Sequence, residues 1–294
     1  MTTPASLAAT PSHVPVRMVP GDEVPAMALH QAFREAFADY LIGPFEVELD
    51  EWPAFLARQG ADLARSRVAL APDGQALAFA LVATRPLQRR WRLATMGARP
   101  QARGTGAAAA LLDDFIARAA QADQQAVELE VFAQNERARR LYEGRGFRPI
   151  HALRGWQGPL NDLSRPPSTQ ASDAPLAVDL PTALHWLDEA ERRWPDLPLQ
   201  VTRAVLHHLP EPLAWQCGTG QLVFSLPDET VMVNSFVAPD PRDARTLIQA
   251  LARVYPQRRL RVPQLQRDDL GGEALRALGA VPMPLHQCWM QRDL

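Results

Sequence analysis

The sequence predicts an α/β protein of two domains, each a mixed central β-sheet flanked by helices. Three observations carry that prediction. Residues 90–150 read in the order strand, glycine loop, helix, strand, short helix, strand, and a weaker echo of that order runs through residues 231–291. At 294 residues, 47% of them hydrophobic, the chain is long enough to bury two cores.

Residues 14–19 read as a short strand, and residues 24–37 as a helix with Met27, Ala28, Phe33, Ala36 and Phe37 along one side. An acidic loop follows. The next helix, over 50–60, takes Asp50 as N-cap and tolerates Pro53 in its first turn. Residues 67–71 and 76–84 form a hairpin across Pro72-Asp73-Gly74, and 90–97 is a longer strand. Gln101-Ala102-Arg103-Gly104-Thr105-Gly106 then leads straight into a helix over 104–120, whose apolar positions include Ala107, Ala110, Leu111 and Phe115. After a strand over 126–131, Asn135 reads as the N-cap of a short helix in which Ala138, Leu141 and Tyr142 recur. Gly144 and Gly146 bracket its exit.

A chain that turns through two glycines into a helix start presents unpaired backbone N–H groups, aimed by the helix dipole, to anything carrying phosphate. A Cβ at either glycine would hold a pyrophosphate off the backbone. Arg103 adds a positive charge at the rim. Taken alone, the loop leaves its ligand open. Gly104-x-Gly106-x-x-Ala109 also satisfies a relaxed dinucleotide fingerprint, with Glu130 near where a ribose-binding acid would sit, and small residues occur at such turns with no ligand at all.

Residues 101–106 together with 135–147 resemble the acetyl-CoA-binding and C-terminal motifs of the GCN5-related N-acetyltransferase (GNAT) superfamily, and residues 14–157 have that domain's length and order. A dinucleotide-binding fold does not predict Asn135, Tyr142 and Gly146-Phe147 at those offsets. The resemblance implies acetyl-CoA as cosubstrate. Its pyrophosphate would meet Gln101, Arg103, Gly104, Thr105, Gly106 and Ala107, and its pantetheine arm would lie between two splayed strands, beside Val131 and Asn135. The implied activity is acetyl transfer to a primary amine, on a small molecule or a peptide. Direct attack in a ternary complex is expected, because neither cysteine lies in the domain that would carry the thioester.

That chemistry needs a neutral amine, a polarised carbonyl and a proton for the departing thiolate. Free α- and ε-amines have pKa values of about 8 and about 10.4, so a base must act. The resemblance puts Tyr142 beside the sulfur as proton donor. Glu130, in the context Leu-Glu-Val-x-x-x-Asn, is the expected base, and strand alternation puts Glu128 on the same face. Pairing of these carboxylates with arginine, or a water relay, stands beside that reading. Glu46, Glu48, Asp50 and Glu51 could attract a cationic acceptor or simply be solvated, and Tyr40, Phe45 and Trp52 could wall a pocket or fill core. The alternative functional class is a non-catalytic acyl-CoA-binding sensor or interaction module.

Residues 158–177, rich in proline and small polar residues, read as a linker, and 178–294 as a second domain. Helices over 183–193 and 201–208 precede strands over 222–225 and 231–237, a helix over 241–254, a strand over 259–262, a helix over 273–278 and a strand over 287–291. Aligning Gly279 with Gly146 makes this half a degenerate GNAT-like repeat. Pro239-Asp240-Pro241 stands where the glycines were, and Leu275 where Tyr142 was, so the second half is not expected to bind acetyl-CoA.

A net charge of −2 gives no basic footprint for nucleic acid, and no run of 18 apolar residues could span a bilayer. Residues 1–13 read as a flexible, uncharged start without signal-peptide character. The expectation is a cytoplasmic protein with neither a nucleic-acid nor a membrane partner and no metal, with homodimer formation left open. Cys217 and Cys288 lack metal-ligand spacing and read as thiols. All 31 basic residues are arginine, which reads as codon bias and says nothing of substrate.

Overall fold

The computed structural model describes residues 17–163 and 174–294. The expected flexible start, residues 1–13, and residues 164–173 of the expected linker lie outside them; the rest of that segment is not a plain linker, since it ends a strand at Pro159, forms a 3-10 turn over Leu160–Leu163 with both leucines buried, and opens a strand at Leu176. The first half runs β1 (Arg17–Pro20), α1 (Ala26–Ala36), α2 (Trp52–Arg58), β2 (Ala61–Leu70), β3 (Ala76–Arg85), β4 (Arg90–Ala98), α3 (Ala107–Gln121), β5 (Ala126–Phe132), α4 (Glu136–Glu143) and β6 (Arg148–Pro159). The second runs β7 (Leu176–Val178), α5 (Leu180–Arg193), α6 (Arg203–Leu206), β8 (Leu213–Cys217), β9 (Gly220–Ser225), β10 (Thr230–Val237), α7 (Pro241–Val254), β11 (Arg259–Arg267), α8 (Gly272–Leu278), β12 (Val281–Pro282) and β13 (Gln287–Asp293).

All thirteen strands join one mixed sheet in the order β1-β2-β3-β4-β5-β13-β6-β11-β10-β9-β8-β7, with β12 also on β6. Within it β1 to β5 are mutually antiparallel except for the parallel pair β4–β5. Strands β7 to β11 repeat that pattern, with β10–β11 parallel. At the centre the halves exchange strands. β13, the last of the chain, lies between β5 and β6, pairing Cys288 with Val131 on one side and with Ala152 on the other. The far end of β6 in turn lies between β11 and β12, pairing Trp156 with Val262 and Pro282. Neither half therefore completes its sheet alone.

Local chemistry explains most element boundaries. Asn135 caps α4 by accepting from the Ala138 N–H at 3.2 Å, and Asp240 caps α7 by accepting from Arg242 N–H at 2.8 Å. Helix α3 starts at Ala107, with Gly106 in the left-handed region at its N-cap. The residue preceding α2 is Glu51, not Asp50, and its side chain makes no capping bond; Pro53 sits in the first turn as expected. The single helix expected over 201–208 is a short 3-10 turn, Leu199–Val201, followed by the one-turn α6. Strands β7 and β8 carry too few residues and too mixed a pattern to stand out in the sequence.

Each half buries its own apolar core. In the first, Leu111, Phe115 and Ala119 of α3 cover one face of the sheet against Val127 and Leu129, while Phe33 of α1 stacks on Phe79 of β3 at 5.0 Å on the other. In the second, Leu247, Ile248 and Leu251 of α7 pack on Phe224, Val231 and Leu260. Between the halves lies a buried ion cluster. Arg85, with a fully buried side chain, donates to Glu128 Oε1 at 2.8 Å, to Glu191 Oε1 at 2.9 Å and to the Leu197 carbonyl at 2.8 Å. Arg90 joins Glu128 at 3.5 Å and Asp196 at 3.1 Å. Both cysteines lie in the second half, Cys217 buried and Cys288 half-buried on β13.

Candidate active site

Strands β4 and β5 pair only through residues 90–93 against 126–129. A bulge at Ala94 turns β4 away, since Leu81 opposes Thr95 while Val82 opposes Leu93. Beyond it β4 remains paired with β3 as far as Ala98, and β5 with β13 as far as Phe132, so this half of the sheet opens between its two parallel strands. Gly97 stands where a Cβ would lie 2.6 Å from Phe79 and 3.0 Å from Ala36, which lets α1 approach β4 closely at the mouth of the opening.

Two cavities fill this opening. The larger, about 710 Å³, is lined by Arg103, Gly104, Gly106, Ala108 and Ala109 of the loop and first turn of α3, by Met96, Gly97 and Ala98 of β4, and by α4. Gly104 and Gly106 have φ of +83° and +89°, and an added Cβ at either meets nothing within 4 Å. Both positions thus need glycine for their backbone and leave open space where a side chain would stand. The first-turn N–H groups of α3 and the guanidinium group of Arg137 suit a pyrophosphate there, while Arg140 meets Glu136 at 3.5 Å and Arg145 is held by Asp113 at 2.5 and 3.0 Å. Arg103 lines the same cavity but is held by Asp39, at 2.6 and 2.7 Å.

The smaller cavity, about 430 Å³, lies on the other side of the opening. Phe33, Phe45 and Phe55 wall it from the first half, Arg92 and Glu130 reach it from β4 and β5, and Gln200, Pro263, Gln264, Leu265 and Gln287 close it from the second half. The two cavities share Phe37, Tyr40, Met96, Asn135, Ala138 and Tyr142.

The expected site residues separate on this geometry. Tyr142 sits where the cavities meet, buried against Phe147. Burial, and then the neighbouring Tyr40 phenol, push the Tyr142 hydroxyl far above the usual tyrosine range. Asn135 lines both cavities while capping α4. Arg103, Gly104 and Gly106 line the larger cavity, and Val131 the smaller. Gln101 instead reaches Gln75, the Thr105 hydroxyl donates to the Ala102 carbonyl at 2.8 Å, and Ala107 is buried; none of the three lines either cavity.

Both carboxylates of β5 are paired with arginine. Glu130, its side chain 2% exposed, is bound through Oε2 by Arg92 at 2.6 and 2.8 Å, and its Oε1 is buried with no partner. Glu128 belongs to the ion cluster between the halves and lines neither cavity. Burial pushes its carboxyl up, against the pull of Arg85. Glu46, Glu48, Asp50 and Glu51 also stand off both cavities, and Trp52 is buried in core, whereas Tyr40 and Phe45 do form walls. Sequence reasoning missed Arg137, Arg140 and Arg145, although their spacing along α4 and its exit beside the glycine loop was the available signal.

Residues 27–147 match the sequence model of the acetyltransferase (GNAT) family. That stretch is a GNAT acetyltransferase domain. The match spans α1 through the exit of α4 and so contains the glycine loop, Glu130, Asn135 and Tyr142. No curated protein matches the chain by sequence. Among solved structures, a putative acetyltransferase from Pyrococcus horikoshii superposes with a TM-score of 0.62 at 13% identity, covering 100% of this chain and 93% of that one. A GCN5-related N-acetyltransferase from Sphaerobacter thermophilus gives 0.61 at 17% identity, covering 97% of each chain. One from Kribbella flavida gives 0.62 at 14% identity, covering 97% of this chain and 73% of that one. At these identities the likeness is one of fold, and it extends over both halves. Enzymes of the GNAT family are acyltransferases that use acetyl-CoA. Among the described residues no group of three or more His, Cys, Asp or Glu could hold a metal, and no helix is long and apolar enough to cross a membrane.

The second half differs at the corresponding opening. Beyond Met232 and Arg261, β10 and β11 also part, but the Gln266 amide spans the gap, donating to the carbonyls of Phe236, Arg267 and Leu270 at 2.8–3.1 Å. The space left there is about 10 Å³. Asp240 and Pro241 occupy the start of α7, where the first half has its glycines.

Proposed function

We propose that the chain transfers acetyl from acetyl-CoA to a primary amine by direct attack in a ternary complex, at the one opening between β4 and β5. The observation that carries this reading is that two cavities of different character, one suited to phosphate and one to an apolar acceptor, meet at Tyr142. A pyrophosphate on the Gly104–Gly106 turn would direct the pantetheine arm along residues 95–98 toward that junction. The amine would enter from the smaller cavity.

In the reaction the ammonium gives one proton to Glu130 Oε1, and its freed lone pair forms the N–C bond to the thioester carbon. As the C–S bond breaks, the thiolate takes the Tyr142 proton. The second proton lost by the nitrogen restores the phenol through solvent, and Glu130 releases the first to solvent as the product leaves. Burial keeps the Tyr142 O–H intact as a hydrogen-bond donor to the departing sulfur, and because it makes the phenol a weaker acid, its proton would pass to sulfur only as the nitrogen loses its own second proton. Arg92 occupies the far oxygen of Glu130 and fixes its rotamer, leaving Oε1 as the free acceptor. The plugged opening between β10 and β11 supports one acetyl-CoA per chain.

Steady-state thiol release with acetyl-CoA and a primary amine both varied tests the reading. Intersecting double-reciprocal lines are expected. Parallel lines with an acetylated protein in the mass spectrum would refute direct attack, and tight acetyl-CoA binding with no turnover on any amine would favour a sensor.

A further inference from the structure

We infer that the acceptor is a monocationic primary amine on an uncharged, ring-sized apolar body, held jointly by the two halves of the chain. The inference rests on the acetyl-transfer reading above and adds the class of amine.

Two residues that line the smaller cavity each carry a buried acceptor atom without a partner: Glu130 Oε1 on β5 and Gln200 Oε1 on the turn before α6. Nearly every buried polar atom in a folded protein has a partner, so two orphaned acceptors on one cavity wall call for a ligand that donates at two places. An ammonium group satisfies Glu130. An O–H or N–H elsewhere on the same molecule satisfies Gln200.

The charge of the wall sets the charge of the ligand. Glu130 is the cavity's one carboxylate, and Arg92 already pairs with it at 2.6 Å. A polyamine or polyamino sugar would bring further cations with nothing to meet them, and desolvating each would oppose binding. A single ammonium can at least meet the second oxygen of Glu130, which offsets part of its desolvation.

One side of the remaining wall is aromatic. Phe33, Phe45 and Phe55 contact one another with ring centroids 4.5–5.2 Å apart and present ring edges and faces to the space. Opposite them, β11 breaks register with β6 between Val262 and Gln266, and the bulged segment Pro263-Gln264-Leu265 lines the cavity. Gln287 of the exchanged strand β13 donates to the Gln264 carbonyl at 2.9 Å and pins that bulge. A space of about 430 Å³ lies toward the small end of small-molecule sites.

The test uses the full chain and measures thiol release from acetyl-CoA with phenethylamine, tyramine, spermidine and a lysine-containing peptide. The two ring amines are expected to exceed spermidine and the peptide in kcat/KM by about tenfold or more, with tyramine ahead of phenethylamine through its ring hydroxyl. Gln200→Leu should abolish the tyramine preference while acetyl-CoA affinity stays at the parent value, which also shows that the variant folds. Faster turnover of spermidine or the peptide overturns this inference and leaves acetyl transfer standing. Absence of thiol release with all four amines, while acetyl-CoA binds, overturns both. An unchanged tyramine preference in Gln200→Leu removes Gln200 from the site and refutes the joint recognition.

Discussion

Replacing Arg85 with methionine should destabilise the whole chain rather than one half. The guanidinium is fully buried and donates to Glu128, Glu191 and the Leu197 carbonyl, tying β3 and β5 to α5 and the turn that follows it. Arg85→Met leaves Glu191 with no cation and Glu128 with only Arg90, at 3.5 Å. Breaking a buried pair from one side costs about 3–5 kcal/mol, because the surviving charge stays buried. For a chain of this size about 2 °C of Tm is lost per kcal/mol, so a fall of roughly 6–10 °C is expected. Burial raises the Glu128 carboxyl above its ordinary value, and removing Arg85 removes the main opposing pull. A raised folded pKa contributes stability at low pH that is lost as pH rises through it, so the deficit should be smaller near about pH 5 than near about pH 8. Differential scanning calorimetry reads both effects. A shift under about 2 °C would refute the electrostatic argument. A two-step transition would refute the view that strand exchange makes the halves one cooperative unit.

Tyr142→Phe should leave acetyl-CoA affinity unchanged in calorimetry and lower kcat by about 10- to 100-fold, the loss expected when a positioned proton donor is replaced by water; an unchanged kcat removes the phenol from the chemistry. A hydrogen bond from His151, and then Arg90, hold Asp196 down to about 2. A depressed folded pKa contributes stability that is full above the ordinary carboxylate value and lost as pH falls through about 2. Asp196→Asn should therefore cost about 1 kcal/mol at neutral pH, after solvent screening of a half-buried group, and progressively less below about pH 4, and urea titrations across that range would show a flat difference if the pairing is inert. A chain ended after Leu163 lacks β13 and leaves β5 and β6 without the strand between them. It should show no cooperative thermal transition by circular dichroism; a sharp one would mean that the first half completes its own sheet.

Much of the first half was legible because its signals are local. The glycine loop, the Asn135 cap and the spacing of Tyr142 are set by backbone conformation within a few residues, and each falls where the sequence places it. The repeat of strand order in the second half was legible for the same reason. Which strand pairs with which was not. Residues 287–291 read as a strand, yet nothing in their pattern says that they lie between β5 and β6 rather than beside β11, because pairing is decided by long-range packing. The partners of Glu130 and Glu128 were hidden likewise: Arg92 and Arg85 stand 38 and 43 positions away and meet them only across the sheet. The acceptor cavity was the least legible part, since its far wall depends on a bulge in β11 and on Gln200, neither of which carries a motif.

Acetyl-CoA binding at the Gly104–Gly106 cradle is measured directly by titration calorimetry of the parent chain and Gly106→Glu. Gly106 sits at φ +89° with open space beyond it, so a glutamate there would both fill the cradle and repel the pyrophosphate. One acetyl-CoA per parent chain is predicted, with binding lost in the variant. Unchanged affinity in Gly106→Glu, or a stoichiometry of two, would contradict the assignment of a single cradle between β4 and β5.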